Sequence, residues 1–244
     1  MKDLEFLEEF PIASGGVYDN ISVYENTLDS FKEAIKNGMT IYFSVRRTKD
    51  GEMIVYQDKT LERLMNLKDQ INTTTYEELQ YLSSYHIPTL KEALDLIAGQ
   101  VPIIINPRST AHKFYLLKEM SKLLDKYPGQ FAILSDKSII IKWFNRRRPD
   151  YVIGEIIRKK YHLNYFTLKN IIAHYSIITD FKSVRVEDYD IIKLKIMKDK
   201  DLILGYLIDS EEKYLKYKDA CHNLFISNIS NLHLITQMKL VIDD

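Results

Sequence analysis

The chain has 244 residues with 34 basic and 34 acidic side chains, so its formal net charge is zero. That balance excludes a nucleic-acid binder held by bulk positive charge, which would carry a basic excess. Its 45% apolar and 28% charged composition is that of a folded globular chain, not a disordered one.

A short apolar run, Phe10–Ser14, reads as the first strand. Leu28, Phe31, Ala34 and Ile35 then recur at helical spacing, and Gly38 ends that helix. The second strand is Ile41–Val45, and Asp50-Gly51 turns the chain into Met53–Tyr56, the pattern of a hairpin. Further strands are predicted at Ile103–Asn106, Phe131–Ser135, Tyr151–Ile156, Ser176–Asp180, Leu202–Leu207 and Leu224–Ser227. Helices fall between them: Phe114, Leu117 and Leu124 mark one, Lys137–Asn145 and Thr167–Ala173 two more, and Tyr214, Leu215 and Tyr217 the last. Arg158-Lys159-Lys160 reads as loop.

Without the hairpin partner these are about eight β/α units in a chain near 250 residues, the α/β arrangement that closes a (β/α)8 barrel. No Gly/Ser-rich or Pro-rich linker divides the chain, so residues 1–244 read as one domain. A barrel of this kind binds ligands at the carboxyl ends of its strands. Those positions are Ser14, Gly15, Gly16, Tyr42, Ser44, Gln57, Asn106, Arg108, Ser135, Asp136, Asp180 and Ser227. The lone cysteine, Cys221, has no internal partner, and the first residues lack a basic stretch followed by an apolar one. No apolar run approaches the roughly 20 residues of a membrane span, so the expectation is a cytoplasmic protein without a transmembrane segment.

Five segments share order and spacing with a known family: Ile12-Ala13-Ser14-Gly15-Gly16, Glu25-Asn26-Thr27, Val45 to Gly51, Asp58 to Arg63, and Ile87-Pro88-Thr89-Leu90. Together they resemble the glycerophosphodiester phosphodiesterases, closely to about residue 110 and beyond it only in the alternation of elements. The resemblance implies a TIM barrel. It also implies a divalent cation, usually calcium or magnesium, that serves hydrolysis of glycerophosphodiesters to glycerol 3-phosphate and an alcohol. The substrates so implied are glycerophosphate-containing lipids or cell-envelope polymers. The family insertion between the hairpin and Pro88-Thr89-Leu90 is nearly absent, since Leu79–His86 leaves little room.

The resemblance fails at the chemistry. The family opens with His-Arg-Gly after the first strand, where this chain has Ser14, Gly15 and Gly16. Its second strand carries two metal-binding carboxylates, matched here by Tyr42 and Ser44. The second catalytic histidine falls on Gln57, a further metal-binding glutamate on Asn106, and a phosphate-facing lysine on Arg108. A hard cation needs oxygen ligands, preferably carboxylates, and Tyr42, Ser44 and Asn106 are neutral. A positioned histidine is worth roughly 10²–10⁴ in rate, and neither serine nor glutamine titrates near neutrality.

A scaffold kept while its catalytic set is exchanged implies a pseudoenzyme, with no catalytic residue, no metal and no cofactor. Removing three carboxylates while keeping Arg108 leaves a mouth suited to an anion. Backbone amides at Ser14-Gly15-Gly16 suit a small anion-binding concavity. The expected ligand-binding residues are therefore Ser14, Gly15, Gly16, Gln57, Asn106 and Arg108, for a phosphate or glycerophosphate group held without cleavage. Two alternatives stand beside this: a protein-interaction scaffold with an occluded pocket, and a residual or repurposed hydrolase drawing on Asp58, Asp136 or Asp180.

The six histidines show no metal-finger spacing. Cys221-His222 reads as structural, because sequence neighbours rarely face each other. Arg146-Arg147-Arg148 ends a predicted helix, where it either complements the helix dipole or offers a docking patch to an acidic partner or anionic headgroups. The 17 tyrosines permit a partner surface without locating one.

Overall fold

A computed structural model describes residues 2–108, 113–158 and 177–228. In chain order the first half contains α1 (Phe6–Glu9), β1 (Ile12–Ser14), α2 (Leu28–Lys36), β2 (Thr40–Arg47), β3 (Met53–Val55), α3 (Glu62–Met65), α4 (Tyr76–Leu82) and α5 (Leu90–Ile97). The second half contains β4 (Ile103–Pro107), α6 (Lys113–Leu124), β5 (Phe131–Ser135), α7 (Ser138–Arg147), β6 (Val152–Ile157), β7 (Phe181–Arg185), α8 (Ile191–Lys198), β8 (Ile203–Ile208), α9 (Glu211–Tyr217) and β9 (Asn223–Ile226).

Eight of these strands are parallel and run β1-β2-β4-β5-β6-β7-β8-β9, with β9 returning to β1, so the sheet closes into a TIM barrel. Only β3 is antiparallel. It lies along β2 as the second arm of the hairpin, whose turn places Gly51 at φ +101°.

Strand alternation divides the core into two layers. Ile12, Tyr42, Ile104, Leu134, Val152, Phe181, Leu204 and Phe225 pack in one cluster within the barrel, joined by Phe6 and Leu7 of α1. Their neighbours Ala13, Ile41, Phe43, Val45, Ile103, Ile105, Ile133, Ile153, Val184 and Ile203 pack outward against the helices. Because both faces are buried, the strands read as near-continuous apolar runs. The amino end of the barrel is tied by Asn223, which donates to the Leu7 and Phe10 carbonyls at 2.9 and 2.7 Å.

The helix starts follow from side-chain capping. Thr27, Thr75 and Thr89 each cap a helix, accepting from the backbone of Ser30, Glu78 and Glu92, whose side chains reach back to the cap. Between β3 and α5 a small satellite core of Ile54, Tyr56, Leu61, Ile71, Leu79 and Ile87 holds α3 and α4, and the connection from α4 to α5 is short.

One strand differs from its expected place. The seventh was predicted at Ser176–Asp180, but the pairing residues are Phe181–Arg185. Ile177 and Ile178 supplied the apolar signal, yet Ile178 is exposed and its carbonyl accepts from Asn145 at 2.7 Å. Phe181 is the residue that fills the barrel, because Gly154 on β6 leaves space for its ring. A Cβ at Gly154 would stand 2.3 Å from that ring. Gly154→Ala is therefore expected to lower unfolding free energy by about 1–3 kcal/mol through overpacking, measured by urea denaturation. An unchanged midpoint would mean that the ring moves aside freely.

The other strands fall within a residue or two of their predicted bounds. The helix expected at Thr167–Ala173 lies outside the described residues. Among the described residues, no helix is long and apolar enough to cross a membrane.

Candidate functional site

A cavity of ≈ 320 Å³ opens at the carboxyl ends of the strands. Its polar side is built by Ser14 at the end of β1, Gly15 beyond it, Gln57 after the hairpin and Arg108 after β4. Ser44 donates to Gln57 Oε1 at 2.6 Å, and Arg108 Nε donates to Ser44 Oγ at 3.4 Å. Arg46 closes the same corner from outside the cavity wall, donating to the Gln57 carbonyl at 2.8 and 3.2 Å. Burial and the nearby Arg108 charge lower the Arg46 guanidinium to about 10. Among the described residues, Arg108 meets no carboxylate.

Beneath this corner Asn106 donates to the Tyr42 hydroxyl at 3.0 Å, and its own Oδ1 is buried without a partner. The rim on the β1 side carries charge. Arg63 donates to both Glu25 oxygens at 2.9 and 2.5 Å and to Asp58 at 2.6 Å. Glu25 is only 7% exposed, so a bidentate guanidinium partner is what makes its ionised form tolerable there. The Tyr18 hydroxyl, also at the cavity, is pushed up to about 12, chiefly by burial and then by the Glu25 charge.

Of the six expected ligand-binding residues, four border the cavity: Ser14, Gly15, Gln57 and Arg108. Asn106 lies one layer below. Gly16 packs against α2, where a Cβ would stand 2.6 Å from the Ser30 carbonyl oxygen. Gly15 and Gly16 both hold φ near +83°, as glycine allows. The amide of Gly15, however, donates to the Tyr42 carbonyl at 2.7 Å as a continuation of the strand ladder. That amide is therefore engaged, and the half-buried Arg108 is the cationic donor that borders the cavity on this side.

The remaining positions sort by strand end. Ser227 borders the cavity, as does Asp58, while Asp136 pairs at 2.7 Å with Arg158, itself a lining residue. Asp180 belongs to the opposite end of the barrel, a correction that follows from the shifted seventh strand. Its carboxylate binds Lys2 at 2.8 Å and accepts from the Ile153 amide at 2.8 Å.

Sequence reading missed Tyr18, Glu25, Arg63, Tyr206 and Leu207 as lining residues. Glu25 and Arg63 lie within the matched segments, but the sequence alone gives neither a part in the site. Cys221 is buried, which pushes its thiol up to about 12, while His222 Nδ1 accepts from the Ile203 amide at 3.0 Å. Burial lowers the His222 imidazole below its ordinary range, so the pair is structural. Arg148 is held by both Asp125 oxygens at 2.8 and 2.7 Å, which takes one arginine out of the predicted patch.

The donor set at the polar corner does not suit a hard cation. Ser44 and Tyr42 are hydroxyls already in hydrogen bonds, Asn106 offers one amide oxygen, and none is charged. Among the described residues, no cluster of three His, Cys, Asp or Glu side chains stands close enough to hold a metal.

A sequence model of the glycerophosphoryl diester phosphodiesterase family matches residues 13–184. A glycerophosphodiester phosphodiesterase of Bacillus altitudinis is 31% identical over 116 residues, 43% of each chain. One from Arabidopsis thaliana is 24% identical over 169 residues, 63% of this chain and 52% of that one. The matches thus span about half or less of these relatives' length. The fold is shared more widely. The Thermotoga maritima glycerophosphodiester phosphodiesterase superposes with a TM-score of 0.72 at 21% identity, covering 95% of this chain and 97% of that one. An Oleispira antarctica phosphodiesterase, solved in complex with the product sn-glycerol-3-phosphate, gives 0.76 at 17% identity, covering 98% and 99%.

Proposed function

The chain belongs to the glycerophosphoryl diester phosphodiesterase family, and from that premise we propose that it is a non-hydrolytic member that binds a phosphate or glycerophosphate group in its barrel mouth without a metal ion. The observation that carries this reading is the corner formed by Ser44, Gln57 and Arg108. At the family positions of a metal carboxylate, a catalytic histidine and a phosphate-facing cation, the chain holds a neutral hydrogen-bonded pair capped by a guanidinium. A hydroxyl bonded to an amide neither ligates a hard cation well nor transfers a proton near neutrality. A guanidinium without a carboxylate partner among the described residues suits a phosphate, which it can meet with two parallel N–H bonds.

The carbon framework supports the same class of ligand. The cavity lies where barrels bind ligands, and a relative of the same fold holds glycerol 3-phosphate. The carboxylates that remain at the mouth, Glu25 and Asp58, are both engaged by Arg63, which favours a structural part for them over catalysis.

Calorimetric titration with glycerol 3-phosphate and with inorganic phosphate, in buffer containing EDTA, tests the proposal. Binding is expected with both ligands and is expected to be insensitive to added calcium. No heat at millimolar ligand, or heat only when calcium is present, would refute it.

A further inference from the structure

The side of the cavity across from Arg108 has a different chemistry. In the closed order of strands, β4 and β8 are four places apart in either direction, so Arg108 and the end of β8 face each other across the barrel mouth. On β8 the ladder to β9 is irregular. Gly205 pairs with Leu224 and Ile208 with Ile226, so three steps on one strand meet two on the other. The extra residue is a bulge, a device that re-aims side chains at barrel rims. Tyr206 and Leu207, which regular alternation would send to opposite faces, consequently both border the cavity.

Leu207 bears two penalties for this position. It takes φ +72°, a left-handed conformation unfavourable to a branched side chain, and it remains 40% exposed. Among the described residues it joins none of the hydrophobic clusters of the core. Among the described residues the fold therefore gains little packing from this leucine, which borders the cavity together with the apolar Ile156 and Phe225. Strain at a binding mouth, with no packing return, is an observation from which a functional reading can be drawn.

We propose that Leu207 and Tyr206 form a specificity wall, and that the cavity takes a soluble phosphate monoester bearing a short unbranched alkyl arm. The phosphate lies toward Arg108 and the arm lies against the bulge. A volume of ≈ 320 Å³ is at the small end for ligand sites, which fits a short arm. The proposal rests on the anion-binding reading above and adds the apolar half of the ligand.

Calorimetry in EDTA-containing buffer with inorganic phosphate, butyl phosphate and hexyl phosphate, on the wild type and on Leu207→Gly, separates the two. A methylene fully removed from water contributes about fourfold in affinity, so partial burial of a butyl arm is expected to strengthen binding roughly tenfold over inorganic phosphate. In Leu207→Gly that ratio is expected to fall to about threefold or less. The same variant is expected to melt at a higher temperature than the wild type, because glycine adopts the positive φ without strain. A loss of selectivity caused by unfolding would be accompanied by a lower melting temperature instead. Equal affinities for inorganic and butyl phosphate in the wild type, or a ratio unchanged in Leu207→Gly, would overturn the proposal while leaving the anion site standing. Absence of heat with all three ligands would overturn both.

Discussion

Purified protein incubated with glycerophosphocholine and calcium, magnesium or manganese is expected to release no choline above the uncatalysed background. The reason lies in what the site lacks twice over. Ser14 and Gln57 stand at the two histidine positions implied by the family resemblance, and each missing proton-transfer group removes roughly 10²–10⁴ in rate. Tyr42, Ser44 and Asn106 stand at the three carboxylate positions, and their oxygens are neutral; the Ser44 hydroxyl donates to Gln57 and the Tyr42 hydroxyl accepts from the Asn106 amide nitrogen. On the proposed reading no charge at these positions would hold a divalent cation, and its stabilisation of the developing phosphoryl charge would be missing as well.

Because proton transfer and cation binding act as a unit, single reversions are expected to restore nothing. The combined variant Ser14→His, Tyr42→Glu, Ser44→Asp, Gln57→His and Asn106→Glu tests whether the barrel still supports the reaction. A chelator-sensitive choline release from that variant alone is the expected result. Turnover by the wild type that Ser14→Ala or Arg108→Ala abolishes would instead establish a repurposed hydrolase.

Much of the barrel is visible in the residues because both faces of each strand are buried. Ile103–Ile105 and Phe131–Ser135 therefore stand out as apolar runs between helical stripes. The seventh strand escaped for the opposite reason. Its inward positions, Phe181 and Ser183, alternate with Lys182 and Val184, and the charged Lys182 and Arg185 and the polar Ser183 break up the apolar signal, while the more apolar Ile177-Ile178 lies just before it. The polar half of the cavity was legible through motif spacing, which places Ser14, Gly15, Gln57 and Arg108 at strand ends. Glu25 was present in the same motifs, but its approach to Arg63 spans 38 positions of sequence and depends on how α3 returns over the mouth. Leu207 was illegible in principle. Its orientation arises from a mismatch in pairing between β8 and β9, and no pattern within β8 alone records it.

Replacing Arg108 by glutamine is expected to weaken phosphate binding by about 1.5–3 kcal/mol, the range for a hydrogen bond to a charged group, or roughly ten- to a hundredfold. Arg46 is not expected to compensate. Its guanidinium donates twice to the Gln57 carbonyl, and it stands outside the cavity wall. Arg63 is committed to Glu25 and Asp58, so an anion recruiting it would leave Glu25 buried without its partner. Arg108 is the lining cation whose engagement with phosphate breaks no ion pair among the described residues; Arg158, the third, would have to leave Asp136.

The variant should fold normally, since the bond lost from Ser44 is long at 3.4 Å and Ser44 keeps its contact to Gln57. Salt provides a second reading of the same charge. Wild-type affinity is expected to fall as ionic strength rises, and Arg108→Gln to show a shallower dependence. Phosphate affinity and salt dependence both unchanged in a folded Arg108→Gln protein would move the anion elsewhere in the mouth, with Arg158 and Arg63 as the cations to examine next.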